Sequence, residues 1–299
     1  MGYLHVNNLY KDQQILQFRY CYAMEKLHGT SAHVRWQDGK LHFFSGGENH
    51  ERFVGLFDQD NLSAAFTEKF GVDERTVVVY GEAYGGRQQG MSATYGKDLK
   101  FTAFDVKIGD SWLQVEQAHG FVNSLGLEFV DYEKIEATLA EIDRCRDLPS
   151  TQAIRNGIVE PKIREGVVLR PPFEVTLNDG SRLIAKHKRD EFRETSTPRA
   201  VDPADLAILE EANLIADEWV TATRFEHVVD QLVRDRENNA SRNVEMSDTR
   251  ELIKLMYSDV LREAQGEIVA TKDLNKVVGA RTVALLKGYL DARLREVVA

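Results

Sequence analysis

Lys26 follows an apolar, strand-like run, YCYAM (20–24), and stands three residues before Gly29 in Glu25-Lys26-Leu27-His28-Gly29-Thr30. A lysine can act as a nucleophile only if its pKa falls well below the ordinary value of about 10.4. Neighbouring cations or burial can supply that shift. Taken alone, a solvated lysine at a strand end explains this box as well. Downstream, VVVYGEAYGG (77–86) places Glu82 behind an apolar strand and a glycine, where its carboxylate could accept hydrogen bonds from a ribose. A turn glutamate would look the same.

Three further features follow in order. LKFTAFDVKI (99–108) sets Phe101 and Phe104 at odd spacing, hence on opposite strand faces, so one could pack in the core while the other stacks on a base. Asp105 is costly to bury there without a partner, so it should pair with a cation or face a site. EGVVLR opens with Glu165 and closes with Arg170. In AKHK, Lys186 and Lys188 share one strand face and repel each other unless an anion lies between them. A triphosphate would serve; an exposed basic edge strand is the plainer alternative.

Each feature alone has a bland explanation, but their order does not. Lys-x-x-Gly, apolar-Gly-Glu, aromatic-Asp, Glu-Gly-apolar and Lys-x-Lys together resemble the motifs of the covalent nucleotidyltransferases. EKLHGT, GEAYGG, FTAFDV, EGVVLRP and AKHK resemble the bacteriophage RNA ligase 2 branch in particular. The motif resemblance covers about residues 20–195. It implies an ATP-dependent RNA ligase that joins 3′-OH and 5′-phosphate ends, by implication nicks in duplex RNA, through lysyl-AMP and adenylylated-RNA intermediates. Joining of single-stranded ends and a non-catalytic nucleotide- or RNA-binding module are the alternatives.

The resemblance also implies roles. Lys26 would be the nucleophile, and His28 would act after adenylylation begins. Lys186 and Lys188 would hold the α-phosphate and lower the Lys26 pKa. Glu82 would bind the ribose and Phe104 would stack on adenine, with Glu25, Leu27 and Gly29 around the nucleotide through backbone groups. Glu165 would stand at the metal and lysine side. Mg²⁺ or Mn²⁺ would be met by Glu165 and Glu82, largely through water. Arg170 joins the nucleotide site with a less defined role. One departure stands out. Where the family has an Arg-Thr/Ser-Gly element, this chain has Ser45, Gly46 and Gly47, and Arg52 follows later. Arg52 or the backbone amides of that stretch are expected to substitute.

The elements that must position these residues fall into two regimes. Residues 1–195 show short β-branched and aromatic runs separated by turn residues, with helical patterns near 60–70, 115–125 and 133–145, which reads as α+β with antiparallel sheets. Beyond, the pattern is helical. Asp202-Pro203 should start a helix, Asp248 and Glu251 have capping-box spacing, and Gly279 should break the pattern before a last helix. The expected division is an adenylyltransferase domain over 1–197 and a smaller all-α domain over 198–299. A DNA ligase or capping enzyme would be expected to carry a strand-rich OB module in the latter region.

The chain has 299 residues and a net charge of −10, which argues against broad electrostatic coating of nucleic acid or anionic membrane. The charge is uneven. Residues 201–218 hold six carboxylates and no base, whereas 182–189 holds four basic residues and no acid. A local grip on few phosphates, with a shallow salt dependence, is the expectation. Two cysteines, the lack of a signal-like start and the lack of a long apolar run lead to the expectation of a cytoplasmic monomer without a membrane span.

Overall fold

The computed structural model describes residues 2–71, 75–177, 180–192, 202–235 and 244–298. In chain order the elements are β1 (Asn7–Asn8), β2 (Tyr20–Lys26), β3 (Thr30–Gln37), β4 (Lys40–Ser45), α1 (His50–Val54), α2 (Gln59–Phe70), β5 (Val77–Gly85), α3 (Ser92–Tyr95), β6 (Leu99–Ile108), β7 (Ser111–Trp112), α4 (Val115–Ser124), β8 (Tyr132–Glu136), α5 (Leu139–Asp147), α6 (Thr151–Arg155), β9 (Gly166–Arg170), β10 (Ala185–Lys188), α7 (Pro203–Trp219), α8 (Ala222–Asp235), α9 (Thr249–Glu263) and α10 (Lys272–Val298).

The chain divides into two compact units, one of Met1–Ile15 and Tyr20–Arg199, the other of Leu16–Arg19 and Ala200–Ala299. The expected boundary near 197 lies outside the described residues. The first unit is α+β, built on two five-stranded sheets with orders β1-β10-β9-β2-β8 and β4-β3-β5-β6-β7. Pairing is antiparallel except between β1 and β10.

Alternation decides which face each strand of the second sheet buries. Val34, Trp36, Val77 and Val79 are fully or almost fully buried and meet Leu62 and Phe66 of α2, which are spaced one helical turn apart. The Phe66 ring stacks on Trp36 with centroids 5.4 Å apart. Asp58 caps α2 by accepting from the Asn61 amide, and Gly71 follows the last turn. Val115, Ala118 and Val122 of α4 complete this core.

On β6 the alternation is interrupted. Asp105 pairs with Tyr80 and Ala103 with Gly81, so Phe104 has no partner across the strand. This bulge shifts the pleat by one residue, and Val106 rather than Asp105 joins the core. Gly81 opposite is required by space, because a Cβ there would lie 2.4 Å from the Thr102 carbonyl oxygen.

Three sequence expectations need correction. The 133–145 stretch is not one helix: Tyr132–Glu136 pair with β2, and α5 starts behind a Thr138 cap. Edge pairing outweighs the weak helical pattern, since only Ile135 of this strand is buried. The reciprocal cap before α9 is Glu245 with Asp248, the Glu245 amide donating to Asp248 at 2.9 Å, rather than Asp248 with Glu251. Gly279 does not end a helix, because α10 runs through it. A Cβ at Gly279 would sit 3.4 Å from Ile253 of α9. Close approach of these helices offsets the cost of about 1 kcal/mol for a helical glycine.

The second unit is helical in its described residues. Asp202 caps α7 by accepting from the Ala204 amide ahead of a first-turn proline. Leu252, Met256 and Val260 form a buried stripe on α9 against Val277, Val278 and Leu286 of α10.

Candidate active site

The chain first passes from the first sheet to the second over three residues, Leu27, His28 and Gly29, between the end of β2 and the start of β3. Lys26 therefore ends in one sheet beside the other. Within the first sheet Gly166 is the partner of Lys26 on one side and of Lys188 on the other. A Cβ at Gly166 would lie 2.1 Å from the His187 carbonyl oxygen, so glycine is what lets the three strands meet there. Glu165, the residue before it, reaches between the flanking cations.

Glu165 is 1% exposed and is the hub of the site. Its Oε2 accepts from Lys26 Nζ at 2.9 Å and lies 3.1 Å from His28 Nδ1, while its Oε1 lies 2.9 Å from Lys188 Nζ. Burial alone would raise its pKa, yet His28, Lys26 and Lys188 together hold it down at about 2. The anion between cations here is a carboxylate of the protein itself, Glu165, and it joins Lys26 with Lys188 rather than Lys186 with Lys188 as expected. Summed over Lys26, Lys188 and Glu165, the cluster carries one excess positive charge.

A cavity of about 390 Å³ opens beside this cluster. It is lined by Tyr3, Leu4, His5 and Val6 from the chain start, by Met24, Glu25, Lys26 and Leu27, by Ser31, Glu82, Thr102, Phe104 and Val130, and by Val168, Arg170 and Lys186. Glu82 is held by the Gly29 amide at 3.1 Å. Its burial raises the carboxyl to about 7, against the opposing pull of Lys26. Phe101 packs on Phe53 and Phe57, whereas Phe104 turns into the cavity, so the two aromatics part as their spacing predicted. The Tyr3 ring meets Phe104 edge-on at 4.9 Å.

The Glu25 side chain points elsewhere. It accepts from Ser150 Oγ at 2.5 Å and from the Gln152 amide at 3.2 Å, fixing the start of α6. Only the backbone of that residue is left to serve a nucleotide. Arg170 lies on the cavity wall but is 2% exposed and spends its guanidinium on Asp105 (2.8 Å), the Leu113 carbonyl (2.7 Å) and Glu174 (2.7 Å). Asp105 also meets Arg182 at 2.6 Å and Tyr3 Oη at 2.6 Å. This second cluster balances two arginines against two carboxylates.

Arg52 is not among the cavity-lining residues. It lies on α1 behind the Asn49 cap, its side chain 56% exposed and paired with Glu48 at 3.3 Å. Gly46 spends its amide on the Ser31 carbonyl. Of the four bases in 182–189, Lys186 lines the cavity and Lys188 joins Glu165, while Arg182 is locked in the second cluster and Arg189 pairs with Asp147 and Glu191. The Tyr3–Val6 wall was missed by sequence reasoning, and no motif marks it. The Glu174–Arg182 pair was also missed, although a lone carboxylate ahead of a cation-rich strand was a usable signal.

Among the described residues no group of three His, Cys, Asp or Glu side chains is placed to hold a metal, and no helix is long and apolar enough to cross a membrane.

No curated protein matches the chain. Solved structures of a Naegleria gruberi RNA ligase match with low identity. The enzyme with PPi is 18% identical with a TM-score of 0.47, over 64% of this chain and 57% of that one. A variant of it with AMP and Mn is 17% identical with a TM-score of 0.48, over the same shares. The chain thus spans little more than half the length of those enzymes. The family model described as RNA ligase matches residues 19–188, more than half of the sequence and the whole stretch from β2 to β10, so the chain belongs to the RNA ligase family.

Proposed function

We propose that this protein is an ATP-dependent RNA ligase that works through a lysyl-AMP intermediate. The carrying observation is the Lys26–Glu165–Lys188 cluster, with its excess positive charge, whose Lys26 lines a cavity together with Glu82, Phe104 and Lys186. In this reading the Lys26 nitrogen forms a bond to the α-phosphorus of ATP as the bond to pyrophosphate breaks. AMP then passes to the 5′-phosphate of RNA, and the 3′-hydroxyl of the other end displaces it. Each step is chiefly positioning and charge neutralisation.

Lys188 and Lys186 offer cations to the α-phosphate. Glu165 orients both the nucleophile and Lys188, and His28, sharing its Oε2, is placed to act on the same phosphate once Lys26 is occupied. Glu82 can accept from a ribose hydroxyl, and Phe104, braced by Tyr3, offers a face to adenine. Divalent metal fits this donor set only as a phosphate-bound ion meeting one or two carboxylates, Glu165 and Glu82, largely through water. It would neutralise phosphate charge. The subfamily that best fits the motifs is RNA ligase 2. With 1% exposure and three basic partners, Glu165 is ill suited to a passive binding module.

The helical second unit supports nicked duplex RNA as substrate. A specific observation favours single-stranded ends as a second reading: half-buried aromatic rings, described below, that suit unpaired bases. A sealing assay with 5′-labelled RNA tests the proposal. Label should become phosphatase-resistant in a longer product only with ATP and Mg²⁺. No product from either a nicked duplex or single strands would overturn the ligase reading.

A further inference from the structure

The second sheet has a face that the nucleotide cavity does not use up. Directly paired residues share a face, so Ser31 and Glu82, then His33, Phe44 and Tyr80, then Arg35, His42, Val78 and Lys107 all point away from the α2–α4 core. Ser31 and Glu82 line the cavity, so this face continues outward from it. Phe43 and Phe44 show the division: Phe43 packs on Phe53 and Phe57, while Phe44, its neighbour, turns the other way and stacks on His33 at 5.0 Å.

The rings form a continuous row across the strands. Phe44 meets His33, His33 meets Tyr80 at 5.6 Å, and Tyr80 meets Trp112 at 5.4 Å. Phe44, Tyr80 and Trp112 are half-buried and His42 is exposed, while His33 is buried and backs Phe44 and Tyr80, and the Tyr3 ring packs edge-on against Tyr80 at 5.2 Å and Trp112 at 5.8 Å. Arg182 covers the Trp112 ring at 3.8 Å and anchors that end of the row to the balanced cluster. Burial holds the His33 pKa down at about 4, so its ring is neutral at pH 7 and stacks without charge.

The charge on this face runs against that of the chain. Beyond Glu82 at the cavity and Asp105, which two arginines engage, its strand positions carry Arg35, Lys40 and Lys107 and no further carboxylate. Asp110, in the turn after β6, lies 3.8 Å from Lys107 and is fully exposed. Arg35 Nε is buried without a hydrogen-bond partner. Aromatic rings interleaved with cations suit a polynucleotide with unpaired bases, each base having a π-face and each phosphate a charge.

Building on the ligase reading, we infer that Phe44 and Tyr80, backed by the buried His33, form with Arg35 and Lys107 a stacking platform for unpaired RNA nucleotides leading to the cavity. The substrate class is then RNA with a single-stranded stretch at the break. The wider chain repels RNA at net −10, and this strip supplies the local grip.

The test uses the full chain and a fluorescein-labelled single-stranded RNA oligonucleotide, read by anisotropy across a salt series, with labelling of the same proteins by α-labelled ATP in parallel. Phe44→Ala should weaken RNA binding about tenfold and Phe44→Tyr should restore it. Arg35→Gln should reduce the salt slope by about one. Labelling by ATP should be unchanged in all three. Arg35→Gln keeps the idea testable should Phe44→Ala fail to fold. RNA affinity within about twofold of the parent in Phe44→Ala together with a salt slope unchanged in Arg35→Gln would overturn the platform, and the unchanged slope alone would do so if Phe44→Ala does not fold. Equal losses on blunt duplex RNA would overturn the assignment to unpaired bases. A parent protein that binds RNA in this platform-dependent way but takes no label would support the platform and sink the ligase reading.

Discussion

Two charged clusters lie within the first unit, and they differ in one respect that decides what each can do. The Asp105 cluster sets Arg170 and Arg182 against Asp105 and Glu174, so its charges cancel. Its arginines are multiply bonded and at most 7% exposed. Such a network holds β6, β9 and the chain start together and braces the wall that carries Phe104 and Tyr3. The Glu165 cluster gathers Lys26, Lys188 and His28 on one carboxylate, and its cations keep a partly open side. A balanced buried cluster is scaffold; an unbalanced one beside a cavity is prepared for a ligand of the missing sign. The same residue types, arginine or lysine with carboxylate, serve both.

Like-for-like substitutions should therefore separate the two. Glu165→Gln should slow adenylylation by roughly 10²–10³-fold, the scale of losing one organising polar group in an active site, and should cost less stability than the change at Asp105 because Lys26 and Lys188 keep a partly open side and can turn to water. Stopped reactions with α-labelled ATP check the rate. Asp105→Asn should instead cost about 3–5 kcal/mol of stability by leaving two buried arginines undercompensated. Urea unfolding reads this. If the two variants exchange phenotypes, the division between them is wrong.

A smaller effect probes the cavity wall. Phe104→Leu keeps the volume apolar but removes the ring, and should weaken ATP binding by a few-fold, the scale of roughly 0.5–1.5 kcal/mol for an aromatic pair. Titration of ATP measures it. The remaining effect is on pH dependence. Glu82, raised to about 7 by burial, contributes stability that is full below the unfolded value near 4.3 and is lost as pH rises through about 7. Glu165, lowered to about 2, contributes stability that is present above about 4.3 and is lost as pH falls through about 2. Glu82→Gln should thus gain thermal stability over the parent between about pH 5 and 7, and a flat difference would count against a strained Glu82.

The comparison also shows what the sequence could and could not tell. The lysines, Glu82 and Glu165 were legible because strand parity and glycine positions carry their chemistry, and the structure lines one cavity with Lys26, Lys186, Glu82 and Phe104 and ties Glu165 and Lys188 to Lys26 beside it. Arg170 was legible as a residue of interest, but its engagement with Glu174 depends on a turn whose geometry no local pattern announces. Tyr3 was invisible, because its role comes from contacts with Asp105, about 100 residues downstream. Phe44 hid in a doublet of which only one ring could be core, and assigning faces required the register with β3. The Tyr132–Glu136 strand and the unbroken α10 were misread because edge pairing and helix packing act over distance. Arg52 looked like a substitute cation on sequence distance alone, and α1 carries it away from the cavity lining.

The central claim is that the unbalanced cluster captures a nucleotide on Lys26. Peptide mapping by mass spectrometry after incubation with ATP and Mg²⁺ tests it most directly. The account predicts one AMP on the peptide containing Lys26, released by pyrophosphate and absent in Lys26→Ala. An unmodified Lys26 peptide, or AMP that persists elsewhere in Lys26→Ala, would contradict it.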